Sequence, residues 1–269
     1  MILAHLTDLH IRPVGKPAYR VAETNKLFAR AVDALLALEP RPDAVVVSGD
    51  LTDCGLVEEY EVLKAQIDRL PMPVHLVLGN HDRRETYLEV FGEPAGARAP
   101  EGFVGFDVDV AGVRLIGLDT VVAGASFGML CETRLAHLDA MLAERPDMPT
   151  MVVMHHPPFG VGIAAFDEIN LVADDALAFG ALLRQYGHIR HLFFGHIHRP
   201  ISGSWHGIPF STLPATAHQS GLDFLTETDL FTHEAPGYGV VLITPEQVTV
   251  HISDFLYRGP QIDPASERL

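Results

Sequence analysis

Five short clusters of histidine, aspartate and asparagine contain side chains that bind metals or move protons. In chain order the clusters are Asp8-Leu9-His10, Gly49-Asp50, Gly79-Asn80-His81-Asp82, His155-His156-Pro157 and Gly195-His196-Ile197-His198. Each cluster directly follows an apolar run with the length and composition of a buried strand. Because open α/β sheets bind their ligands at the carboxyl ends of strands, we expect the five clusters to meet in one crevice.

The spacing within two of the clusters favours chelation. Asp8 and His10 are two residues apart, as are His196 and His198, so in extended backbone both members of each pair project to the same side. Glycines precede three of the clusters and permit a sharp turn or a close backbone approach at a crowded site. Both features are typical of a metal site.

Seven of these side chains are candidate metal ligands, and their number indicates more than one ion. They are Asp8, His10, Asp50, Asn80, His155, His196 and His198. Seven ligands are too many for one tetrahedral zinc but suit two metals that share a carboxylate and a solvent bridge. Imidazole and oxygen ligands without thiolate are typical of Mn, Fe, Zn or Co, among which the sequence does not choose.

Each cluster taken alone also has an ordinary explanation. A lone histidine at a strand end is commonly a hydrogen-bonded rim residue, and Gly49-Asp50 is common turn chemistry. Asn80-His81-Asp82 could be an Asx-turn that begins the next helix, and His155-His156 could be a polar strand exit before a proline loop. Five such accidents at five successive strand ends are improbable, so we interpret the clusters together as one site.

The elements that must position these clusters are alternating strands and helices followed by hairpins. Apolar runs predict central strands at Ile2 to Leu6, Ala44 to Val47, Val74 to Leu78, Thr150 to Met154 and His191 to Phe194. Helical periodicity predicts helices at Glu23 to Leu38, Val57 to Leu70, Thr133 to Ala143 and Asp174 to Tyr186. Hairpin signals join Phe103 to Val110 with Val113 to Leu118, Ile201 to Trp205 with Pro209 to Leu213, and Gly239 to Ile243 with Val248 to Ser253. This order favours two packed, mixed sheets with helices outside, the layered α/β arrangement.

Length and charge narrow the class of protein. The 269 residues fit a single domain over 1–269, in which 214–260 could form a lid or an oligomer-contact appendage. A formal net charge of −16 without a basic cluster argues against long nucleic acid as a partner. No apolar stretch approaches the roughly 18 residues of a membrane helix, and the N-terminus has no basic leader. We therefore expect a cytoplasmic protein without a membrane partner.

The two cysteines and the histidines outside the clusters are interpreted as structural. Cys54 and Cys131 are too few for a disulfide framework, and whether they form one bridge stays open. Cys54 lies four residues beyond Asp50 and is expected to be a small packed side chain rather than a nucleophile. The histidines placed within predicted strands, helices or turns are His5, His75, His137, His188, His191, His206, His233 and His251.

The five clusters, all present and in order, resemble the motifs of the calcineurin-like metallophosphoesterases. Those motifs read D-x-H, G-D, G-N-H-D or E, H and G-H-x-H, and they span residues 8–198 here. The phrases AHLTDLH, PDAVVVSGDLTDCG, LGNHD, MHHPP and STLPATAHQ look like the bacterial branch of class III cyclic nucleotide phosphodiesterases and glycerophosphodiesterases. The resemblance implies a four-layer α/β/β/α sandwich with two mixed β-sheets, and hydrolysis of small anionic phosphodiesters.

The resemblance also implies two divalent transition-metal ions. One ion would be held by Asp8, His10 and His198, the other by Asn80, His155 and His196, with Asp50 bridging them. In this hypothesis a hydroxide between the metals attacks the phosphorus in line.

The remaining functional residues follow from the same resemblance. His81, beside Asn80, would reach the scissile phosphate, and Asp82 would orient the His81 imidazole. Asp50 is counted as catalytic because it holds both metals. His218, in the STLPATAHQ segment, matches a histidine near the substrate pocket of this branch.

Two competing functions and the identity of the substrate stay open. A mononuclear iron oxygenase would leave four candidate ligands idle, and a metal-poor protein-binding scaffold of the same fold is disfavoured because no ligand is missing. The substrate could be a 3′,5′-cyclic nucleotide, a glycerophosphodiester or an alkyl phosphonate monoester. Selectivity would come from the loops Pro157 to Asn170 and Pro214 to Gly237, and the second loop could also form a homo-oligomer contact. Aromatic residues that could stack a base, or simply pack these loops, are Phe159, Phe166, Phe224 and Phe231.

Overall fold

The structure, a computed structural model, describes residues 1–20 and 22–257. The helices are α1 (Thr24–Ala37), α2 (Val57–Ile67), α3 (Arg84–Phe91), α4 (Glu132–Glu144), α5 (Ala164–Asp167) and α6 (Ala173–Leu183). The strands are β1 (Ile2–Leu6), β2 (Ala44–Ser48), β3 (Val74–Val77), β4 (Phe106–Val110), β5 (Val113–Leu118), β6 (Thr150–Met154), β7 (Ile189–Phe193), β8 (Ile201–Trp205), β9 (Ile208–Thr212), β10 (Gln219–Ser220), β11 (Phe231–Thr232), β12 (Gly237–Ile243) and β13 (Val248–Asp254). Within these ranges, none of the helices has both the length and the apolar character that crossing a bilayer demands.

The strands form two large sheets, and both are mixed. The first has the order β13-β12-β1-β2-β3, in which β1, β2 and β3 run parallel and β12 runs antiparallel to β1. The second has the order β4-β5-β6-β7-β9-β8, in which β5, β6 and β7 run parallel and β4 runs antiparallel to β5. Each parallel set points its carboxyl ends to one edge, which is where the polar clusters follow.

Three apolar layers hold the sheets and helices together. Val46 of the first sheet and Val153 of the second belong to the cluster buried between the two sheets. Phe28 of α1 and Tyr60 of α2 pack on the outer face of the first sheet, and Phe179 of α6 packs on the outer face of the second. The predicted four-layer α/β/β/α sandwich is therefore confirmed, because helices pack on the outer face of each sheet and the inner faces of the two sheets pack on each other.

Four elements of the structure were not predicted from the sequence: the helices α3 and α5 and the strands β10 and β11. Helix α3 was not predicted, because its eight residues are too few for helical periodicity to be recognised, which needs a window of roughly 11 residues or more. The segment predicted as irregular between Pro214 and Gly237 contains the short strands β10 and β11, which pair with each other. Beyond it, β12 and β13 complete the first sheet beside β1, and residues 258–260 of the predicted appendage lie outside the described residues. The division into a domain and an appendage stays a prediction.

The cysteines are free, and one is placed differently from expectation. Neither Cys54 nor Cys131 forms a disulfide. Cys54 is exposed rather than packed, because the loop after β2 turns at Gly55, whose φ of 67° lies in the left-handed region. Its Sγ accepts a hydrogen bond from Nη1 of Arg12 at 2.7 Å. The expectation of a small packed side chain at this position was wrong.

Two histidines buried between the sheets predict a loss of stability in acid. Burial lowers the pKa of His5 to about 3, with a further contribution from His191, and burial lowers the pKa of His191 to about 4. Because an unfolded histidine has a pKa near 6.5, the unfolded chain binds more protons below that pH. The free energy of unfolding should therefore fall from about pH 6.5 towards pH 4, by about 1.4 kcal/mol per pH unit for each histidine.

Urea unfolding of the metal-free protein between pH 4.5 and 6.5 measures this dependence. We expect the His191→Phe variant to lose stability less steeply than the unmodified protein as the pH decreases, because it lacks one of the buried histidines whose pKa is lowered. Identical slopes for the two proteins would contradict the prediction.

Candidate active site

The five polar clusters lie at the carboxyl ends of strands that belong to two different sheets. Those after β1, β2 and β3 come from the first sheet, and those after β6 and β7 come from the second. Hydrogen bonds join the sheets here: for example, Nδ1 of His155 donates to the carbonyl of Ser48 at 2.8 Å, and the backbone N–H of His196 donates to Oδ1 of Asp8 at 3.1 Å. The site therefore forms where the two sheets meet, because neither sheet alone carries all the clusters.

Five of the candidate ligands have backbone conformations that residues other than glycine rarely adopt. Their φ angles are positive: 52° at Asp8, 45° at His10, 46° at Asp50, 73° at His196 and 52° at His198. The extended backbone expected for the two pairs was therefore wrong, although the members of each pair still converge. Left-handed conformations at such residues are costly and concentrate at functional sites.

Two glycines let the clusters approach one another. A Cβ atom on Gly79 would lie 2.3 Å from the backbone nitrogen of Asp50, and a Cβ atom on Gly49 would lie 2.3 Å from Nδ1 of His155. Neither distance is sterically allowed. The glycines noted in the sequence are thus required by close packing between the strand ends.

One half of the site consists of Asp8, His10, Asp50 and His198. Each offers one ligand atom, and these atoms all lie within 4.8 Å of one another. Nε2 of His10 lies 3.6 Å from Oδ2 of Asp50, and Nε2 of His198 lies 3.5 Å from Oδ1 of Asp8. Buried oxygen and nitrogen donors therefore surround a common centre.

The outer hydrogen-bond partners of two histidines show that this half fits a metal ion. Nδ1 of His198 donates to the carbonyl of His218 at 2.9 Å, and Nδ1 of His10 faces Oδ1 of Asp53 at 3.3 Å. Burial lowers the pKa of His10, which favours the neutral ring with its proton on Nδ1. The two Nε2 atoms then face each other at 3.1 Å with lone pairs only, so no hydrogen bond joins them. A cation between them relieves this repulsion, and the outer partners orient both rings as metal-binding histidines require.

The other half of the site consists of Asn80, His155 and His196, with Asp50 shared. Nε2 of His155 lies 3.0 Å from Oδ1 of Asn80 and 3.4 Å from Oδ2 of Asp50. Nε2 of His196 is buried and has no hydrogen-bond partner among the residues that the structure describes. An orphaned buried imidazole nitrogen is costly in a metal-free chain, and a metal ion satisfies it.

The electrostatics of this half favour positive charge. Burial alone would raise the pKa of Asp50, but the imidazoles of His155, His81 and His10 outweigh burial and hold that pKa well below its usual range. Burial alone would lower the pKa of His155, but Asp50 and Asp8 raise it to about 9. The carboxylates therefore draw a cation to the position between the two halves.

His81 lies beside the cluster with one imidazole nitrogen available. Its Nδ1 donates to the carbonyl of Asp53 at 2.8 Å, and its backbone N–H donates to Oδ1 of Asp50 at 2.9 Å. Together with Asn80 and Arg83, His81 lines a cleft of about 470 Å³. The ring is thus oriented by its Nδ1–H, which leaves Nε2 to contact a bound molecule.

Asp53 takes part in the site, and sequence reasoning missed it. Its carbonyl orients His81, and its carboxylate faces His10 and accepts from Nη1 of Arg12 at 2.9 Å. The one sequence feature that could have indicated Asp53 is its position three residues after Asp50 in the same loop. Asp53 itself belongs to none of the five clusters.

Asp82 does not orient the imidazole of His81, contrary to the role that the family resemblance implied. Its buried carboxylate accepts hydrogen bonds from the backbone N–H groups of Gly79 at 2.8 Å and Thr52 at 3.1 Å, and from the hydroxyl of Tyr60 at 2.9 Å. Burial raises the pKa of Asp82 to about 6. Asp82 therefore ties the loop after β3 to the loop after β2. Its carboxylate is directed at these backbone donors and not at the imidazole of His81.

His218 lies at the rim of the first half of the site. Its ring centroid is 4.4 Å from that of His198 and 5.0 Å from that of His10. Tyr19 and Phe231 contact it at 4.8 Å and 4.1 Å, so three aromatic rings flank the ligands on this side. Tyr19 carried no signal in the sequence, because it stands in no motif.

The four phenylalanines considered for base stacking lie in different surroundings. Phe159 packs against Phe210 at 4.4 Å and serves loop packing, whereas Phe166 is buried. Phe224 is 61% exposed. Of the four aromatic residues considered for base stacking, two lie against rings of the site. Phe231 contacts His218 at 4.1 Å, and Phe166 contacts His196 at 5.7 Å.

Comparisons with known proteins agree with the motif pattern. Residues 1–200 match the family model described as calcineurin-like phosphoesterase. The chain is 36% identical over 259 residues to a probable cyclic nucleotide phosphodiesterase of Rhodopseudomonas palustris. The matched region covers 95% of this chain and 93% of the relative. It is also 36% identical over 221 residues to a glycerophosphodiester phosphodiesterase of Enterobacter lignolyticus, covering 81% and 78%.

The fold has a solved counterpart as well. A dimetal phosphatase of Danio rerio superposes with a TM-score of 0.72 at 16% identity, covering 95% of this chain and 96% of that one. This protein belongs to the calcineurin-like phosphoesterase family, and its cluster of histidine and aspartate side chains can hold metal.

Proposed function

We propose that this protein is a metal-dependent phosphodiesterase that hydrolyses small phosphodiesters, namely 3′,5′-cyclic nucleotides or glycerophosphodiesters. The proposal rests on one observation: five strand ends from two sheets bring buried oxygen and imidazole donors together beside the free nitrogen of His81. Relatives named for these two activities, each 36% identical, support the substrate class.

Two divalent transition-metal ions, of Mn, Fe, Zn or Co, would complete this site. We assign one to Asp8, His10 and His198, the other to Asn80, His155 and His196, and the shared position to Asp50. Bound there, the ions would lower the pKa of a water molecule and polarise the phosphoryl oxygens of the substrate. Asp50 suits the shared position because its Oδ2 lies within 3.6 Å of an imidazole nitrogen in each half.

The protein's own groups complete the chemistry. His81, in its protonated form, donates from Nε2 to a phosphoryl oxygen as negative charge develops there, and then gives this proton to the departing alkoxide. The carbonyl of Asp53 holds the ring in position through Nδ1, so no reorganisation is needed during the reaction. Asn80 lies beside His81 in the cleft and helps to seat the phosphate.

The competing functions have less support. A mononuclear iron oxygenase needs two histidines and one carboxylate, which leaves most of the converging donors without a role. A protein-binding scaffold has no use for buried imidazoles held with opposed lone pairs. The homo-oligomer stays a prediction; exposed apolar side chains between β10 and β11, such as Leu225 at 91%, suit a contact with a second copy.

Chelation and a substrate panel test the function. We expect a chelator to lower hydrolysis of bis(p-nitrophenyl) phosphate under nitrogen at least about 100-fold, and Mn²⁺ to restore it, because metal ions supply the activated water. The values of kcat/KM for 3′,5′-cyclic AMP, glycerophosphoethanolamine and p-nitrophenyl phosphate, measured with metal content, then identify the substrate class. Hydrolysis that survives chelation, or a reaction that requires oxygen, would refute the proposal.

A further inference from the structure

A row of buried polar side chains leads from the core between the sheets to the candidate ligand Asp8. Its members are His5, Ser48 and Thr7, and all three, like Asp8, are 0% exposed. Nε2 of His5 lies 2.8 Å from Oγ of Ser48, which lies 2.8 Å from Oγ1 of Thr7, which lies 2.7 Å from Oδ2 of Asp8. Oδ1 of Asp8 faces the site, 3.5 Å from Nε2 of His198. The row therefore contacts the outer oxygen of this carboxylate.

The direction of each hydrogen bond in the row follows from the groups involved. The Asp8 carboxylate can only accept, so the hydroxyl of Thr7 donates to it. Thr7 has then used its one proton and accepts from Ser48, and Ser48 in turn accepts from the Nε2–H of His5. All three bonds point towards Asp8, so His5 must carry its proton on Nε2.

Among the described residues, the imidazole of His5 makes one hydrogen bond. Burial lowers the pKa of His5 to about 3, so its ring is neutral. Its Nδ1 is buried and has no hydrogen-bond partner within residues 1–20 and 22–257. An unsatisfied buried nitrogen is costly, and leucine or phenylalanine would fill this space without that cost. What a histidine provides at this position, and leucine or phenylalanine would not, is the Nε2–H that donates to Ser48.

Ser48 links the row to the second half of the site. Its side chain leads through Thr7 to Asp8, and its carbonyl accepts from Nδ1 of His155 at 2.8 Å. The carbonyl fixes the proton of His155 on Nδ1, which directs Nε2 towards Asn80 and Asp50. One residue at the end of β2 therefore orients side chains in both halves.

We propose that His5, Thr7 and Ser48 are positioning residues, which hold the carboxylate of Asp8 and the imidazole of His155 in the orientation that binds metal. The inference rests on the proposed metal-dependent function and adds to it a buried supporting row that reaches between the two sheets. Partners of this kind behind a ligand commonly change metal affinity by 10- to 100-fold.

The chain contains a matched control in the same layer. Nε2 of His191 lies 2.9 Å from Oγ of Ser211, both residues are buried between the sheets, and Nδ1 of His191 likewise lacks a partner in the described part of the chain. This second histidine–serine pair has no hydrogen bond to any candidate ligand. Removing its serine hydroxyl tests what the loss of such a buried pair does to the fold alone.

Mn²⁺ affinity, measured by isothermal titration calorimetry on metal-free protein, tests the proposal. We expect Ser48→Ala and Thr7→Val to weaken binding about 10- to 100-fold, and Thr7→Ser, which keeps the hydroxyl, to restore most of it. Ser211→Ala should lose a comparable amount of stability towards urea but bind Mn²⁺ like the unmodified protein. Unchanged affinity in Ser48→Ala, or an equal loss in Ser211→Ala, would overturn the inference.

A second measurement needs no variant and so does not depend on folding of the altered chains. Nitrogen-15 NMR of the metal-free protein should show His5 as the neutral tautomer protonated on Nε2; protonation on Nδ1 would overturn the inference. Because both measurements are made without substrate, they are separate from the proposed activity. A protein that shows the expected affinities but no diester hydrolysis would refute the proposed function and leave the positioning role intact.

Discussion

Replacing Asp50 with alanine is expected to abolish phosphodiester hydrolysis, with kcat/KM falling at least about 10³-fold, and to lower the metal content of the protein. Oδ2 of Asp50 lies 3.6 Å from Nε2 of His10 and 3.4 Å from Nε2 of His155, so one carboxylate serves both halves of the site. Its Oδ1 also accepts the backbone N–H of His81 at 2.9 Å. The substitution therefore removes a shared ligand and loosens the catalytic loop at the same time.

Metal content by plasma mass spectrometry and kcat/KM for a diester would be measured together. Asp43→Ala is a matched control, because Asp43 precedes β2 at the opposite end from Asp50 and its exposed carboxylate accepts the backbone N–H of Ile2. We expect that variant to keep both metal and activity. Two metal ions per chain in Asp50→Ala would contradict the shared-carboxylate assignment.

Replacing His81 with alanine is expected to lower kcat about 10²- to 10³-fold while metal content stays near that of the unmodified protein. The reason is geometric: the Nδ1–H of His81 is held by the carbonyl of Asp53, and Nε2 faces the cleft instead of completing one of the two ligand sets. A donor that acts on charge developing in the transition state affects turnover more than it affects metal binding.

Single-turnover and steady-state kinetics on metal-loaded protein would separate these effects. His251→Ala serves as the control, since His251 is an exposed residue of β13 in the first sheet. Full activity in His81→Ala would refute the role of His81 as a donor. Loss of metal in that variant would instead identify His81 as a metal ligand. This outcome is worth testing because the ligand atoms of His81, His10 and Asp53 lie within 4.8 Å of one another.

Much of the fold was predictable because the central strands are buried on both faces. The predicted limits of β1, Ile2–Leu6, and of β6, Thr150–Met154, match the structure residue for residue, since each is a mostly apolar run that ends where polar residues follow. Helix α3 was not predictable in this way, because its eight residues are fewer than the roughly 11 over which helical periodicity is recognised. Helical periodicity is recognised over several turns, and a helix of about two turns is too short to show it.

The roles of individual loop residues were less predictable than their presence. Asp82 follows His81 in the sequence, yet its carboxylate turns inward to the backbone N–H groups of Gly79 and Thr52. The partner of the His81 imidazole is a main-chain carbonyl at Asp53, and a carbonyl has no sequence signature. Adjacency in the chain therefore suggested the wrong partner, because hydrogen bonds depend on direction as well as distance.

The sequence by itself determined which ligand types this protein has and that each cluster follows a buried strand, because strand burial and side-chain chemistry are local properties. Only the tertiary structure decided that these strands belong to two sheets, that the Nε2 atoms of His10 and His198 face each other, and that Ser48 supports both halves. The physical reason is that these contacts join atoms up to 188 residues apart in the chain. Their geometry is set by how the two sheets pack, and no short stretch of sequence contains that information.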